Sequence, residues 1–307
     1  MQAPTGQQFV ISRPTATGVS LAIITEVAAG LRQFSIDGVD LTEPYAEESP
    51  APFGDGIVLV PWPNRIRDGV WTLDGATQQL DITEPARQNA LHGLLRDSPY
   101  RLVAQAERTV TLAATVFPQR GYPFHLDTTV RYELVEDGLT VTHGIRHLSQ
   151  APAPVAIGTH PFFTIGDVPS EELTLTVSAA TRFEVDDRLN AVRESPVAGT
   201  EYDLRAGRKL SELRLDDAFG QVTVVDGVSR HWLEAPDGRR VELWQDEYCG
   251  FVQVFTTRDF PKKGGFGLAV AIEPMTAPPD AFNTGQGVHW LTPNEAWSVS
   301  WGVRYIR

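Results

Sequence analysis

Asp-Gly occurs seven times in this chain, at Asp37, Asp55, Asp68, Asp74, Asp137, Asp226 and Asp237. The dipeptide is a favoured centre for tight hairpins, because both members take positive φ at small steric cost. Seven such points in 307 residues leave little room for long helices. Several lie between runs of strand composition. Trp71 to Leu73 and Gln79 to Ile82 flank Asp74-Gly75, Thr129 to Leu134 and Leu139 to Ile145 flank Asp137-Gly138, and Trp232 to Glu234 and Val241 to Trp244 flank Asp237-Gly238. The 26 glycines and 22 prolines exceed the usual share, which also suits short strands and turns. Helical turns are expected only near Leu189 to Glu194 and Leu210 to Leu213. No linker and no repeat of fixed period divides the sequence. The expected architecture is all-β, a single large antiparallel sheet-on-sheet domain over residues 1–307 with very little helix.

Charge narrows the partners. A formal net charge of -13 argues against nucleic acid or an anionic membrane as the main partner and favours a small neutral molecule. With 42% hydrophobic and 21% charged residues the chain reads as an ordinary soluble globular protein. The single cysteine, Cys249, excludes an intrachain disulfide framework and is expected to be a buried small hydrophobe. The first ten residues lack the basic and apolar regions of a secretory leader, and no apolar run is long enough to span a bilayer. A cytoplasmic monomer or homodimer is the expectation.

One carboxylate stands out. In Phe266 to Asn283, Leu268, Val270 and Ile272 share one strand face, while Gly267, Ala269, Ala271 and Glu273 share the other. A carboxylate that closes an apolar strand costs several kcal/mol to bury unpaired, so it needs a partner or a use. The small residues before it are read as leaving room for a sugar ring. Val155 to Phe163 repeats the pattern, with Ala156, Gly158 and His160 on one face and a proline following at once. Glu273 and His160 are therefore expected on two walls of one pocket. Arg65, His92 and Asp216 are the further candidates, with Gly93 allowing close backbone approach beside His92. Trp62, Phe162 and Phe163 are read either as a stacking surface for a sugar or as plain core. Trp290, Trp297 and Trp301 are expected in the core, and His143 with His147 on a surface strand rather than on a metal.

The segments PWPNRIRDG, NALHGL, GTHPFF, LDDAF and IEPMTAPPDAFNTG, in that order, resemble the aldose 1-epimerases, or galactose mutarotases. The resemblance runs from about Pro61 to the closing LTPNEAWSVSW. It implies a galactose-mutarotase-like β-supersandwich, no metal or organic cofactor, and interconversion of the anomers of a free aldose. By position it implies Glu273 as catalytic base and His160 as catalytic acid. Arg65, His92 and Asp216 would hold the sugar; Trp62 and Phe163, beside these motifs, are the aromatics expected to touch it if they are not plain core. Leu94, Phe162 and Asp217 depart from the family's usual residues and alter the pocket wall, so the pattern names no particular sugar. Three rivals stand beside this reading. One is an epimerase of a hexose phosphate or other anionic sugar, with Arg65, Arg67 and Arg96 as anion binders. Another is a non-catalytic carbohydrate-binding protein. The last is a glycoside hydrolase using Asp216 and Glu273.

Overall fold

The structure is a computed structural model, and it describes residues 3–307. Among the described residues every strand pairing is antiparallel, as the turn chemistry anticipates, apart from one isolated parallel bridge between Val60 and Gly93. Three Asp-Gly pairs close two-residue hairpins with both residues at positive φ. Asp37-Gly38 joins Ile36 to Val39, Asp74-Gly75 joins Leu73 to Ala76, and Asp226-Gly227 joins Val225 to Val228. Asp137-Gly138 and Asp237-Gly238 lie in wider hairpin loops, closed by the pairs Leu134 with Leu139 and Glu234 with Arg240. Asp55 is no surface turn: it is fully buried, and its Oδ1 accepts the backbone N–H of Phe162 at 3.0 Å.

Two large sheets dominate. A ten-stranded sheet carries Gly138–His147 and Ala296–Ile306 at its centre. An eight-stranded sheet carries Asp216–Val222, Phe251–Lys262 and Gly265–Met275 side by side. Alternation sends Leu139, Val141 and Ile145 from the first sheet, and Leu268, Val270 and Ile272 from the second, into one contiguous apolar cluster. A four-stranded sheet, Gln8–Pro14 through Val39–Asp40, adds Phe9, Ile11 and Phe34 to the same cluster. Among the described residues, helix is limited to one α-helical turn, Ala281–Thr284, and three short 3-10 turns, one of them Leu210–Glu212 as expected.

Three expectations are corrected. Leu189 to Glu194 is not helical: Ala191–Pro196 is a strand paired with Ala179–Val185. The Asp186 carboxylate takes the N–H groups of Arg188 and Asn190, and Leu189 sits at φ 58, so the chain turns sharply instead of coiling. His143 and His147 are buried, not on a surface strand, because they share the inward face with Val141 and Ile145. His143 Nε2 accepts the Trp301 indole N–H at 3.0 Å. Trp301 is core, whereas Trp290 is 48% exposed on the short strand His289–Leu291. Cys249 is buried, as expected.

Candidate active site

Strand ends build the site. Gly265–Met275 pairs with Phe251–Lys262 so that Gln253 lies directly opposite Glu273 and Phe255 opposite Ala271. Gly158 of the short strand Gly158–Thr159 pairs with Met275 on the other side of the same strand, which carries His160 to the neighbourhood of Glu273. His160 is fixed by its own backbone: its N–H donates to Ile57 and its carbonyl accepts from Gly56. Its Nε2 lies 3.3 Å from Glu273 Oε1. The two expected walls therefore meet.

A second backbone unit supplies Arg65 and His92. Arg65–Arg67 pairs with Asn89–Leu91, which places Arg65 and His92 on adjacent chains. Asn64 at φ 55 turns the chain before Arg65, and its Oδ1 accepts the Arg65 N–H at 2.9 Å. His92 takes φ 64 and donates its N–H to Asn64. Gly93 follows at φ 75, so close to Val60 that a Cβ there would meet the Val60 carbonyl oxygen at 2.1 Å. Asp280, seven residues after Glu273, ties the two units together. Its N–H donates to the Arg65 carbonyl at 2.7 Å, and its Oδ1 accepts the Arg67 N–H at 3.0 Å.

The result is a cavity of about 290 Å³ lined by Asn64, Arg65, His92, His160, Asp216 and Glu273, with Gln253, Phe53, Phe255, Arg87 and Leu91 completing the wall. Asp216 accepts Gln253 Nε2 at 2.7 Å on Oδ1 and faces Arg65 Nη2 at 3.6 Å on Oδ2. The His92 and His160 rings stand edge to face, 5.4 Å apart. Asp217 points elsewhere and pairs with Arg182 at 2.6 Å.

Five of the seven expected site residues line this cavity: Arg65, His92, His160, Asp216 and Glu273. Trp62 and Phe163 do not. Trp62 is 1% exposed and packs against Phe282 and Tyr122, because the turn at Asn64 separates its direction from that of Arg65. Phe163 pairs with Val270 and joins the main core, while Phe162 pairs with Ala271 and stacks on the His160 ring at 5.5 Å. The room expected over Ala269 and Ala271 is filled: Phe162, Phe260 and Phe255 pack there. Only the end of that face, at Glu273, opens on the cavity. Phe53, Arg87, Gln253 and Phe255 also line it and lie outside the candidates read from the sequence. Phe53 is 45% exposed in a left-handed turn (φ 53), with Phe162, Phe255 and Phe260 around its ring.

Burial sets the proton affinities. It pushes the Glu273 carboxyl well above its ordinary range, with Asp216 adding to the shift and Arg65 opposing it. It pulls His160 down to about 4, with Arg96 and Arg65 contributing in the same sense. It holds His92 well below the ordinary imidazole value, with His160, Arg96 and Arg65 adding to the effect. Of the cations considered as anion binders, Arg65 is bound to Glu84 and Arg67 lies 3.4 Å from Asp186. Arg96 lies 3.3 Å from the exposed Asp97, but its buried Nε and Nη1 have no hydrogen-bond partner among the described residues.

A family model described as aldose 1-epimerase matches residues 21–304. The uncharacterized protein YihR of Escherichia coli (strain K12) is 30% identical over 271 residues, which are 88% of this chain and 85% of that protein. Among solved structures, the GalM/aldose epimerase homologue from C. elegans superposes with a TM-score of 0.83 at 19% identity, over 98% of this chain and 99% of that one. A galactose 1-epimerase from Lactobacillus acidophilus NCFM superposes with a TM-score of 0.75 at 17% identity, over 98% of each chain. These structures share the galactose-mutarotase-like fold.

Proposed function

This chain belongs to the aldose 1-epimerase family, and from that premise we propose that it interconverts the α and β anomers of a free aldose. The observation that carries the reading is the 3.3 Å approach of His160 Nε2 to Glu273 Oε1 at the wall of a small cavity. Opening a cyclic hemiacetal removes a proton from the anomeric hydroxyl and delivers one to the ring oxygen. Both oxygens are bonded to the same carbon, so the two groups that serve them must be close neighbours.

In the proposed reaction Glu273 takes the anomeric hydroxyl proton while His160 protonates the ring oxygen, and the bond from the anomeric carbon to that oxygen breaks. The open-chain aldehyde rotates about the bond between its first two carbons. The ring hydroxyl then adds to the opposite aldehyde face, returning its proton to His160 as Glu273 reprotonates the new anomeric oxygen. Each proton transfer of this kind is typically worth about 10²–10⁴-fold. Protons, charge and carbon oxidation state all balance within one turnover. Burial favours placing the pair's proton on Glu273, as a neutral pair. The ion pair needed for these roles holds the same number of protons, so a transfer between the two residues converts one into the other without solvent. Arg65, His92, Asp216 and Gln253 are proposed to hold sugar hydroxyls. The cavity's size, at the lower end for ligand sites, suits one monosaccharide ring.

A second reading, an aldose bearing phosphate or another anionic group, is favoured by two features: Arg87, although paired with Glu84, lines the cavity with a side chain 42% exposed, and Arg96 keeps Nε and Nη1 without hydrogen-bond partners among the described residues. One experiment addresses both. Freshly dissolved α-aldoses, neutral and phosphorylated, are followed by NMR or polarimetry with and without the protein. The expected result is faster approach to anomeric equilibrium for neutral aldoses, with little inhibition by sugar phosphate. Saturable sugar binding without faster exchange would favour a carbohydrate-binding protein, and inhibition by the phosphate would favour the anionic substrate.

A further inference from the structure

Glu84 belongs to none of the recognised segments, yet its carboxylate receives four side-chain hydrogen bonds beside the cavity. Arg65 donates from Nε at 2.9 Å and from Nη2 at 3.1 Å, Arg87 from Nη1 at 3.0 Å, and Asn89 from Nδ2 at 3.3 Å. The local chain explains the convergence. Glu84 and Asn89 exchange backbone hydrogen bonds across a turn that brings Arg87 back over Glu84. Asn89 then begins the strand paired with Arg65–Arg67. The Arg65 side chain is 9% exposed, and a cation so buried needs a partner. Two-point pairing fixes the plane of the guanidinium as well as its position. It also leaves Arg65 Nη1 without a hydrogen-bond partner among the described residues, on a side chain that lines the cavity.

We infer that Glu84 is a positioning residue for the reaction: clamped along one edge of Arg65, it aims the remaining guanidinium donor at the sugar and offsets that cation's charge at the His160–Glu273 pair. The inference rests on the mutarotase reading. The charged and titratable groups facing the pair are Arg65, Asp216, His92 and Arg96, and those facing Glu84 are Arg65 and Arg87. With Glu84 neutral, Asp216 at 3.6 Å and Glu273 itself would be left to balance Arg65. The unmasked positive charge would favour the Glu273 carboxylate and disfavour the His160 imidazolium. Both titrations would therefore move to lower pH.

The test compares wild type, Glu84→Gln and Glu84→Asp, with thermal midpoints recorded to confirm folding. In Glu84→Gln, KM for the sugar should rise roughly tenfold while kcat falls less, and both limbs of the pH–rate profile should move to lower pH. Glu84→Asp keeps the charge and should leave the limbs in place while KM rises. A carbon-13 NMR titration of the Glu273 carboxyl gives a readout independent of turnover, and its midpoint should fall in Glu84→Gln. An unchanged carboxyl midpoint in folded Glu84→Gln overturns the inference, whether or not the protein proves to be a mutarotase. Absence of anomer exchange in wild type would overturn the mutarotase reading by itself.

Discussion

Glu273 and His160 are expected to titrate as a pair, because their facing atoms lie 3.3 Å apart. In the proposed reaction the working form carries one proton between them. Below the pH at which His160 also protonates, near its depressed value of about 4, no base remains. Above the raised Glu273 titration both groups are bare, and no acid remains. The account thus predicts a bell-shaped rate profile, with its acidic limb well below the ordinary imidazole range and its alkaline limb above the ordinary carboxylate range. Initial rates of anomer exchange across pH, corrected for the buffer-catalysed background, measure it. An acidic limb near pH 6.5 would mean that His160 titrates as a solvated imidazole. Glu273 was legible in the sequence because a lone acid at the end of an apolar strand is hard to place elsewhere. The directions of Trp62 and Phe163 were not, since each depends on one turn or one step of alternation.

At the scale of elements, register decides what joins the site. The hairpin of Phe251–Lys262 and Gly265–Met275 starts with Lys262 opposite Gly265, and its register shifts between Thr257 and Phe260. Counting straight back from the turn would set Val254 opposite Glu273 and put Gln253 out of step. The irregularity moves the pairing by one and brings Gln253 to Asp216 and the cavity. Nothing in the sequence announces that shift, which is why Gln253 and Phe255 escaped notice. The unit carrying His92 has a different constraint. Gly93 and Gly75 take nearly the same φ, 75 and 78, but a Cβ on Gly75 would meet nothing within 4 Å. Gly75→Ala should therefore cost only the conformational penalty, about 1 kcal/mol. Gly93→Ala should cost clearly more and raise KM, because relieving the clash with Val60 moves His92. Urea unfolding and sugar kinetics on the two variants check this, and equal losses in both would contradict it.

Across the whole molecule, two broad antiparallel sheets share one apolar cluster, and strand ends from one of them, together with the Arg65–His92 unit, enclose the cavity. That much of the architecture follows from turn chemistry and alternation: Asp-Gly pairs close hairpins, and alternate apolar residues fill the interior. Which strands become neighbours is set by long-range pairing, such as Gly158 with Met275, and no local pattern records it. The net charge of -13 and the pairing of Arg65 and Arg67 with acidic partners both favour a neutral substrate. The central claim, that one buried carboxylate and the imidazole beside it move protons at a single anomeric carbon, is tested most directly by exchange NMR at anomeric equilibrium. Wild type and Glu273→Gln are compared at saturating aldose, with sugar binding measured in parallel. The account predicts exchange slower by at least about 10²-fold in the variant, with affinity largely retained. Exchange at the wild-type rate in a variant that binds the sugar normally would contradict it.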